Sequence, residues 1–180
     1  KFESTSEDPP ASKTLTVKTT NLNNAGAEQT GTASATINFT KLNDAPSITS
    51  GNTASFDENL PISTVVYDGN ATDVDSSDTI TFSISGTDAA LFTVDSNDGE
   101  VRLKTSADFE TKNSYSFNII ATDNGAGTLS TSKAVTLSVN NLNDPPSITS
   151  GATGTIAENA SISTIAYDAQ ASDPDGNSIT

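Results

Sequence analysis

Side chains that bind metal ions through oxygen recur in short groups along this sequence. Carboxylate and amide oxygens are the hard donors that Ca²⁺ prefers, and a calcium site collects roughly six to eight oxygen ligands. The groups are Glu58-Asn59, Asp73-Val74-Asp75, Asp108-Phe109-Glu110, Asp123-Asn124-Gly125 and Asn143-Asp144. Turns and strand ends are the expected places for these residue types. The pattern therefore predicts divalent-cation binding, with calcium as the expected ion.

Other kinds of chemistry fit these residues less well. Asp73-x-Asp75-x-Ser77 begins like an EF-hand loop, but Asp78 stands where that loop requires glycine. The sequence has no His or Cys to act as base or nucleophile. The carboxylate pair of Asp108 and Glu110 is expected at the end of a domain, which favours metal binding over glycosidase chemistry. The chain is therefore not predicted to be an enzyme.

A simpler interpretation stays open for every acidic group. Short polar side chains also cap turns and cover solvated strand ends without any metal. The segment 95–98 illustrates this, because Asp95-Ser96-Asn97-Asp98 followed by Gly99 is typical of a hairpin turn. Position in the fold must decide between a ligand and a turn residue.

An internal repeat shows how these groups are arranged. The stretch 42–51 has a near-copy at 142–151, and about 20 of the 34 paired positions from 42–75 and 142–175 are identical. A displacement of 100 residues indicates a tandem array of whole domains, because solenoid repeats are shorter. Asn-Asp followed by proline favours an extended joint. We therefore divide the chain into residues 1–43, 44–143 and 144–180, of which only the second is a complete repeat.

Alternating apolar residues predict that the middle repeat is built from strands. Period-two alternation is visible at 79–84, 115–119 and 135–139, and 92–95 and 100–103 flank the Asp-Gly turn. With 54–57 and 62–67, this makes about seven short strands. The fold class is thus all-β, an antiparallel β-sandwich with negligible helix. The predicted inward side chains are Phe82, Ile84, Phe92, Val101, Leu103, Tyr115, Phe117, Ile119, Val135, Leu137 and Val139.

The two outer segments match only parts of the middle repeat. Residues 1–42 correspond to its last third. Leu15 and Val17 take the places of Tyr115 and Phe117, and Ile37 and Phe39 take those of Leu137 and Val139. Residues 147–180 correspond to its opening strands. Both ends are expected to be cuts through a longer array, and strand donation between neighbouring chains is a less favoured alternative.

The charge of the chain agrees with cation binding. Twenty-three acidic residues against eight basic ones give a formal net charge of −15. Such a surface repels nucleic acid and anionic membranes and attracts cations. Without cysteine there is no disulfide framework, so stability must come from packing or bound ions.

The middle repeat resembles a known family, the cadherin repeat, in the form found in large bacterial surface proteins. Five motifs carry the resemblance and follow the family's order across the whole repeat. They are Glu58-Asn59-Leu60-Pro61, Ala71-Thr72-Asp73-Val74-Asp75, Ala107-Asp108-Phe109-Glu110, Ala121-Thr122-Asp123-Asn124-Gly125 and Leu142-Asn143-Asp144-Pro145-Pro146. The resemblance implies tandem Greek-key sandwiches with calcium bound between successive domains.

Two sets of ligands follow from that resemblance. For the joint around residues 141–146, the C-terminal joint, it implies ligands from the middle repeat, from the linker, including the Leu142 and Pro145 carbonyls, and from the third repeat. They are Glu58, Asp108, Glu110, Leu142, Asn143, Asp144, Pro145, Asp173 and Asp175. Asn141 stands where the family usually has aspartate, which would weaken this site.

The joint around residues 41–46, the N-terminal joint, departs further from the family pattern. The residues on its C-terminal side are present, namely Asn43, Asp44, Asp73, Asp75 and Asp123. Lys41 replaces the usual acid, and the Asp-x-Glu motif degenerates to Asp8-Pro9-Pro10. We expect fewer ions here, and a single one would be held by Asn43, Asp73, Asp75 and Asp123.

These features predict an extracellular repeat array, at the cell surface or secreted, that calcium makes rigid. The alternative is an adhesion module whose domains contact a partner directly, either like domains or surface polysaccharide. A sugar site would need an exposed aromatic platform. The candidates are Phe56, Tyr67, Phe109 and Tyr167, although the recurrence of Tyr67 and Tyr167 at equal positions favours packing.

Overall fold

The computed structural model describes residues 10–22 and 24–180 of the chain. The strands are β1 (Ser12–Leu22), β2 (Glu28–Asn38), β3 (Ser47–Ile48), β4 (Thr53–Asp57), β5 (Val65–Asp68), β6 (Ala71–Thr72), β7 (Thr81–Ser85), β8 (Phe92–Val94), β9 (Glu100–Leu103), β10 (Ser114–Thr122), β11 (Ser130–Asn140), β12 (Ser147–Ile148) and β13 (Ala171–Ser172). A single 3₁₀ turn, Ala89–Leu91, is the only helix in these described ranges. No helix among them has the length and apolar character needed to cross a membrane.

Two sheets face each other in the middle repeat. One has the order β4-β11-β10-β7 and the other β5-β9-β8, while β3 and β6 form a short two-stranded pair. Neighbouring strands are antiparallel except β4, which runs parallel to β11. The all-β sandwich predicted from alternation is confirmed. β3 and β6 were not predicted, because two residues are too short to display a period.

The core of this sandwich lies between the two sheets. Of the predicted inward side chains, Ile84 is partly buried and all the others are buried. Aromatic rings join the sheets: Phe92 on β8 lies 5.5 Å from Tyr115 and 5.1 Å from Phe117 on β10, measured between ring centroids. Each such side chain contributes about 1.5–3 kcal/mol by leaving water.

Burial also tests whether the candidate aromatic residues could form an exposed platform for a sugar. Phe56 and Tyr67 are core residues, 7% and 5% exposed, so the structure contradicts their use as a sugar-stacking surface. The Tyr67 ring packs edge-on against Phe117 at 5.8 Å between centroids. Its hydroxyl donates to the Gly51 carbonyl at 2.6 Å. Packing, the interpretation favoured by its recurrence, is confirmed for Tyr67.

The boundaries of two predicted strands shift for local reasons. The strand expected at 62–67 begins at Val65, because a turn closed by the Thr64 N–H donating to the Pro61 carbonyl at 2.9 Å precedes it. The strand expected at 79–84 begins at Thr81, since the Thr79 N–H is used by the Asn124 side chain at 2.8 Å.

In the described part of the first segment, β1 and β2 form a long hairpin. Its connection, residues 23–27, is shorter by two than the connection 123–129 between β10 and β11. The pairing is therefore displaced by two residues, and Ile37 lies opposite Lys13, whereas Leu137 lies opposite Tyr115. A shift of two keeps the same face. Leu15 and Val17 remain about half exposed, because no second sheet covers them among the described residues.

The third segment keeps the local geometry of the middle repeat without its core. β12 pairs with β13 as β3 pairs with β6. Tyr167 donates to the Gly151 carbonyl as Tyr67 does to Gly51. Yet Ile148 is 71% exposed, whereas its counterpart Ile48 is 8% exposed. The local sequence is thus sufficient to form these turns, whereas burial of apolar side chains such as Ile148 requires the closing strands of a repeat.

Candidate metal sites at the two joints

Glu58 is the centre of the C-terminal joint. It follows β4 directly and is 1% exposed. Its carboxylate accepts two backbone hydrogen bonds at 2.7 Å, from the Phe109 N–H and from the Leu142 N–H. A charge removed from water this completely must be compensated by hydrogen bonds or an opposite charge. The two N–H donors supply part of that compensation and orient the carboxylate toward the linker.

Two further carboxylates converge on Glu58. Ligand atoms of Glu58, Glu110 and Asp144 all lie within 4.8 Å of one another. Side-chain amides donate hydrogen bonds to Glu110 and Asp144. Asn141 Nδ2 donates to Glu110 Oε1 at 3.1 Å, and Asn59 Nδ2 donates to Asp144 Oδ1 at 3.2 Å. Three negative charges from separate segments thus share one small space.

The electrostatics of Glu110 reflect this crowding. Loss of hydration raises the pKa of Glu110 above its ordinary value, and a hydrogen bond to its own backbone N–H lowers it. The charges of Glu58, Asp175 and Asp108 raise the pKa further. Without a cation, the folded chain therefore holds this proton more readily than a solvated glutamate does.

Residues of the third segment reach the same joint. Asp175 Oδ2 accepts from the Asp144 N–H at 2.7 Å, and Asp173 Oδ1 accepts from the Asp175 N–H at 3.0 Å. Asn143 Oδ1 accepts from Asn177 Nδ2 at 2.7 Å. The other oxygen of Asp175, Oδ1, is buried and has no hydrogen-bond partner. A buried carboxylate oxygen without a donor fits a cation site.

The N-terminal joint repeats this geometry one domain earlier. Asp75 Oδ2 accepts from the Asp44 N–H at 2.8 Å, and Asp73 Oδ1 accepts from the Asp75 N–H at 2.9 Å. Here the buried oxygen without a partner is Asp73 Oδ2. Each joint thus has one such oxygen in its Asp-x-Asp pair, although on different members of the pair, and the two hydrogen bonds recur at equivalent positions.

Asp123 closes the N-terminal joint from the loop between β10 and β11. Its buried carboxylate accepts from the Gly125 N–H at 3.0 Å and from the Leu129 N–H at 3.1 Å. Asn43 Nδ2 also donates to Asp123 Oδ2 at 3.1 Å. The five residues named for this joint from sequence therefore form two hydrogen-bonded groups, which meet at the adjacent linker residues Asn43 and Asp44.

Some predicted ligands are not brought to the cluster. The Asp108 carboxylate accepts from the Thr111 N–H at 3.0 Å and the Thr111 hydroxyl at 3.1 Å, so its hydrogen bonds close its own turn. Leu142 contributes its N–H to Glu58, while ligation by the Leu142 and Pro145 carbonyls stays a prediction. Asp8 and Pro9 of the degenerate motif lie outside the described residues.

Amide side chains are the residues that sequence reasoning missed. Asn59 donates to Asp144 and Asn177 donates to Asn143, although neither amide belonged to the ligand sets expected for the two joints. Asn59 has a φ of +61°, and its counterpart Asn159 has +60°. Asparagine tolerates this left-handed conformation better than most residues. The recurrence of Glu-Asn at 58–59 and 158–159 was the available signal.

The residues present fit a calcium ion. The donor set consists of carboxylate and amide oxygens, each joint has a buried unpaired carboxylate oxygen, and Gly125 leaves room where a Cβ atom would overlap Asn43 Oδ1. Hard oxygen donors in this number and charge are what calcium prefers.

By contrast, Asp95 belongs to a hairpin turn and not to a joint. The backbone N–H groups of Asn97 and Asp98 donate to its carboxylate and lower its pKa.

Known proteins are similar to this chain in sequence. A family model for the cadherin domain matches residues 52–140. The chain is 36% identical to human protocadherin Fat 4 over 118 residues, which is 64% of this chain and 2% of that protein. It is 30% identical to human protocadherin-1 over 155 residues, 82% of this chain and 15% of that protein. The chain thus spans a small part of these relatives.

Solved structures give the same fold. The human CDH23 EC21-23 structure superposes with a TM-score of 0.68 at 20% identity, covering 91% of this chain and 58% of that one. A protocadherin gammaB7 EC3-6 cis-dimer structure superposes with a TM-score of 0.66 at 18% identity, covering 91% and 44%. The relatives reported are mammalian, so they lend no support to the expected bacterial origin or to a polysaccharide partner.

Proposed function

Starting from the cadherin domain at residues 52–140, we propose that this chain is part of an extracellular adhesion protein whose repeats are made rigid by calcium. In this proposal residues 44–143 form one complete repeat, with partial repeats at 1–43 and 144–180. Calcium binds at both joints, and the array is held at the cell surface or secreted.

One observation carries the proposal: three carboxylates converge where two repeats meet. Glu58 follows β4, Glu110 follows β9, and Asp144 lies in the linker, yet their oxygens lie within 4.8 Å of one another. Like charges this close destabilise the folded state unless a cation lies among them. Solubility alone does not account for such a cluster at a linker, because the rest of the acidic surface already supplies charge.

The residues of the joint connect the two repeats on each side of it. Glu58 accepts from the Leu142 N–H, which fixes the start of the linker to the middle repeat. Asp175 accepts from the Asp144 N–H, which fixes the linker to the third segment. When bound, calcium supplies the positive charge that lets these acids share one site. The joint then loses its repulsion and its freedom to bend.

The proposal predicts that calcium changes shape and stability together. Small-angle scattering and thermal melts should be recorded in excess calcium and in chelator. In the scattering data, calcium should increase the maximum dimension of the particle and narrow its distribution of interatomic distances. In the melts, it should raise the melting temperature by several degrees. A ligand present at a hundred times its Kd stabilises the folded state by about 2.7 kcal/mol.

Matched variants distinguish the loss of a ligand at the joint from the loss of one negative charge elsewhere. Glu110→Gln should remove most of the calcium effect at the C-terminal joint, because Glu110 is one of the three converging acids. Glu158→Gln makes the same change at an exposed residue and should behave like the wild type. Identical scattering and melting with and without calcium would refute the proposal.

A further inference from the structure

Asp78 lies at the N-terminal joint, although no motif singled it out. Its N–H donates to the Asp75 carbonyl at 2.9 Å, which places it one turn after the two acids of that joint. The next residue, Thr79, donates its N–H to Asn124 Oδ1 at 2.8 Å. The segment with Asp78 is therefore tied on one side to Asp75 and on the other to the loop that carries Asp123.

The space beside Gly125 shows where the Asp78 carboxylate is directed. A Cβ atom on Gly125 would overlap both Asn43 Oδ1 and Asp78 Oδ2. Both oxygens therefore crowd the same small volume next to this glycine. A side chain at position 125 would displace these two side-chain ends, so the glycine leaves the space in which both oxygens lie.

The Asn43 amide lies between two carboxylates and cannot satisfy both. Its Nδ2 donates to Asp123 Oδ2 at 3.1 Å, which leaves Oδ1 on the side of Asp78 Oδ2. Turning the amide over would direct its oxygen at Asp123 instead. In either orientation an amide oxygen faces a carboxylate oxygen, and oxygen acceptors crowded in this way are stabilised by a cation.

A buried, unpaired oxygen lies in the same network. Asp73 Oδ2 is buried and accepts no hydrogen bond, while Asp73 Oδ1 is connected through the Asp75 N–H to the turn that holds Asp78. We propose that Asp78 provides a further carboxylate ligand to a calcium ion at the N-terminal joint, so that the middle repeat and linker hold this ion without an acid from the first segment. The inference rests on the proposed function.

The C-terminal joint has no acid at the position equivalent to Asp78, and its other residues make one unnecessary. At the position equivalent to Asp78 it has Ser178, and Asn177 Nδ2 donates to Asn143 Oδ1 at 2.7 Å. The amide oxygen there already has a donor, and Glu58 and Glu110 supply charge from the preceding repeat. At the N-terminal joint Lys41 occupies the place of an acid, and Asp78 restores the missing negative charge.

Calcium titration of the full chain tests this inference. Isothermal calorimetry should be carried out on the wild type, Asp78→Asn and Asp98→Asn. Asp98 is an exposed hairpin residue of the same repeat, so its variant makes the same change in net charge away from the joint. Asp78→Asn should weaken one class of calcium sites by about tenfold, since affinity follows the number of charged ligands. Asp98→Asn should leave both classes unchanged.

Melting in chelator provides a readout that a structural role would not produce. The Asp78→Asn substitution introduces an amide that can donate to Asn43 Oδ1, as Asn177 donates to Asn143 at the other joint. This variant should therefore melt at an equal or higher temperature than the wild type without calcium. A lower melting temperature in chelator would assign Asp78 a structural role and overturn the inference.

The calorimetry separates the inference from the function on which it rests. Equal calcium affinities for Asp78→Asn and Asp98→Asn would overturn the inference while leaving the proposed function intact. Absence of calcium binding by the wild type would overturn both.

Discussion

The acids at the C-terminal joint illustrate how one residue type takes different roles. Glu58 is buried and fixed by two N–H donors, whereas Glu110 is exposed and faces the charges of Glu58, Asp175 and Asp108. Asp108, two residues before Glu110, closes its own turn through Thr111. Two backbone donors from distant segments fix Glu58, whereas the donors of Glu110 are its own N–H and the Asn141 amide, which leave it facing its neighbours' charges.

Glu110 gives a prediction whose sign depends on calcium. A carboxyl group with a raised pKa stabilises the folded state below its unfolded pKa, and this contribution is lost as the pH rises through the folded pKa. In chelator, Glu110→Gln should therefore melt above the wild type at neutral pH, and the difference should shrink in acid, near and below about pH 4.3. In calcium the order should reverse, since the variant binds the ion about tenfold more weakly.

Thermal melts of Glu110→Gln and the wild type, from about pH 4 to pH 7, measure this difference. Glu158→Gln serves as the control for a lost charge elsewhere. A variant that melts below the wild type in chelator at neutral pH would show that Glu110 is stabilised, and not repelled, by its surroundings.

Glycine positions in the loops show how elements are joined. The turn between β8 and β9 needs Gly99, which has a φ of +76°, and a Cβ atom there would overlap the Gly69 carbonyl oxygen. The turn therefore packs directly against the backbone after β5. Gly127, between β10 and β11, also has a positive φ, +95°, but nothing lies within 4 Å of the Cβ position. Gly99 therefore combines a left-handed backbone with close packing, whereas Gly127 has the left-handed backbone alone.

Alanine at these two glycines should separate the two effects. Gly127→Ala should lower the free energy of unfolding by about 1 kcal/mol, the cost of a left-handed conformation for a residue with a Cβ. Gly99→Ala carries that cost and a steric overlap with backbone, so it should lose about 2 kcal/mol or more. Chemical denaturation measures both, and equal losses would argue against the close approach at Gly69.

Charge acts on the molecule as a whole. The net charge of −15 opposes compaction everywhere, and the joints concentrate part of it at linkers. Screening by monovalent salt weakens repulsion among exposed charges but has less effect on partly buried groups. The exposed surface and the joints should therefore respond differently to ions.

Salt melts should distinguish these two contributions. In chelator, raising NaCl from about 0.05 M to about 0.5 M should raise the melting temperature modestly. CaCl₂ at the same ionic strength, without chelator, should raise it further, because the joints bind the ion directly. MgCl₂ should have a smaller effect, since Mg²⁺ releases its water reluctantly and demands octahedral geometry. Equal melting temperatures in all three salts at matched ionic strength would mean that the joints respond only to screening.

Much of the fold was predictable because its cause is local. Alternation at Tyr115, Phe117 and Ile119 is a period-two pattern that only a strand can bury on one side. Features that depend on partners distant in sequence were not predictable. β4 lies parallel to β11, and β3 pairs with β6 through two residues, for reasons that no local pattern records.

The sequence by itself determined the strands, the 100-residue repeat, the acidic groups and the oxygen chemistry they offer. These follow from residue type and spacing, and the third segment preserves its turns even where Ile148 is exposed. Only the tertiary structure decided which acids meet. It brought Glu58, Glu110 and Asp144 together and placed Asp78 beside Asn43. Convergence of side chains depends on how strands pack, and packing is a property of the whole domain.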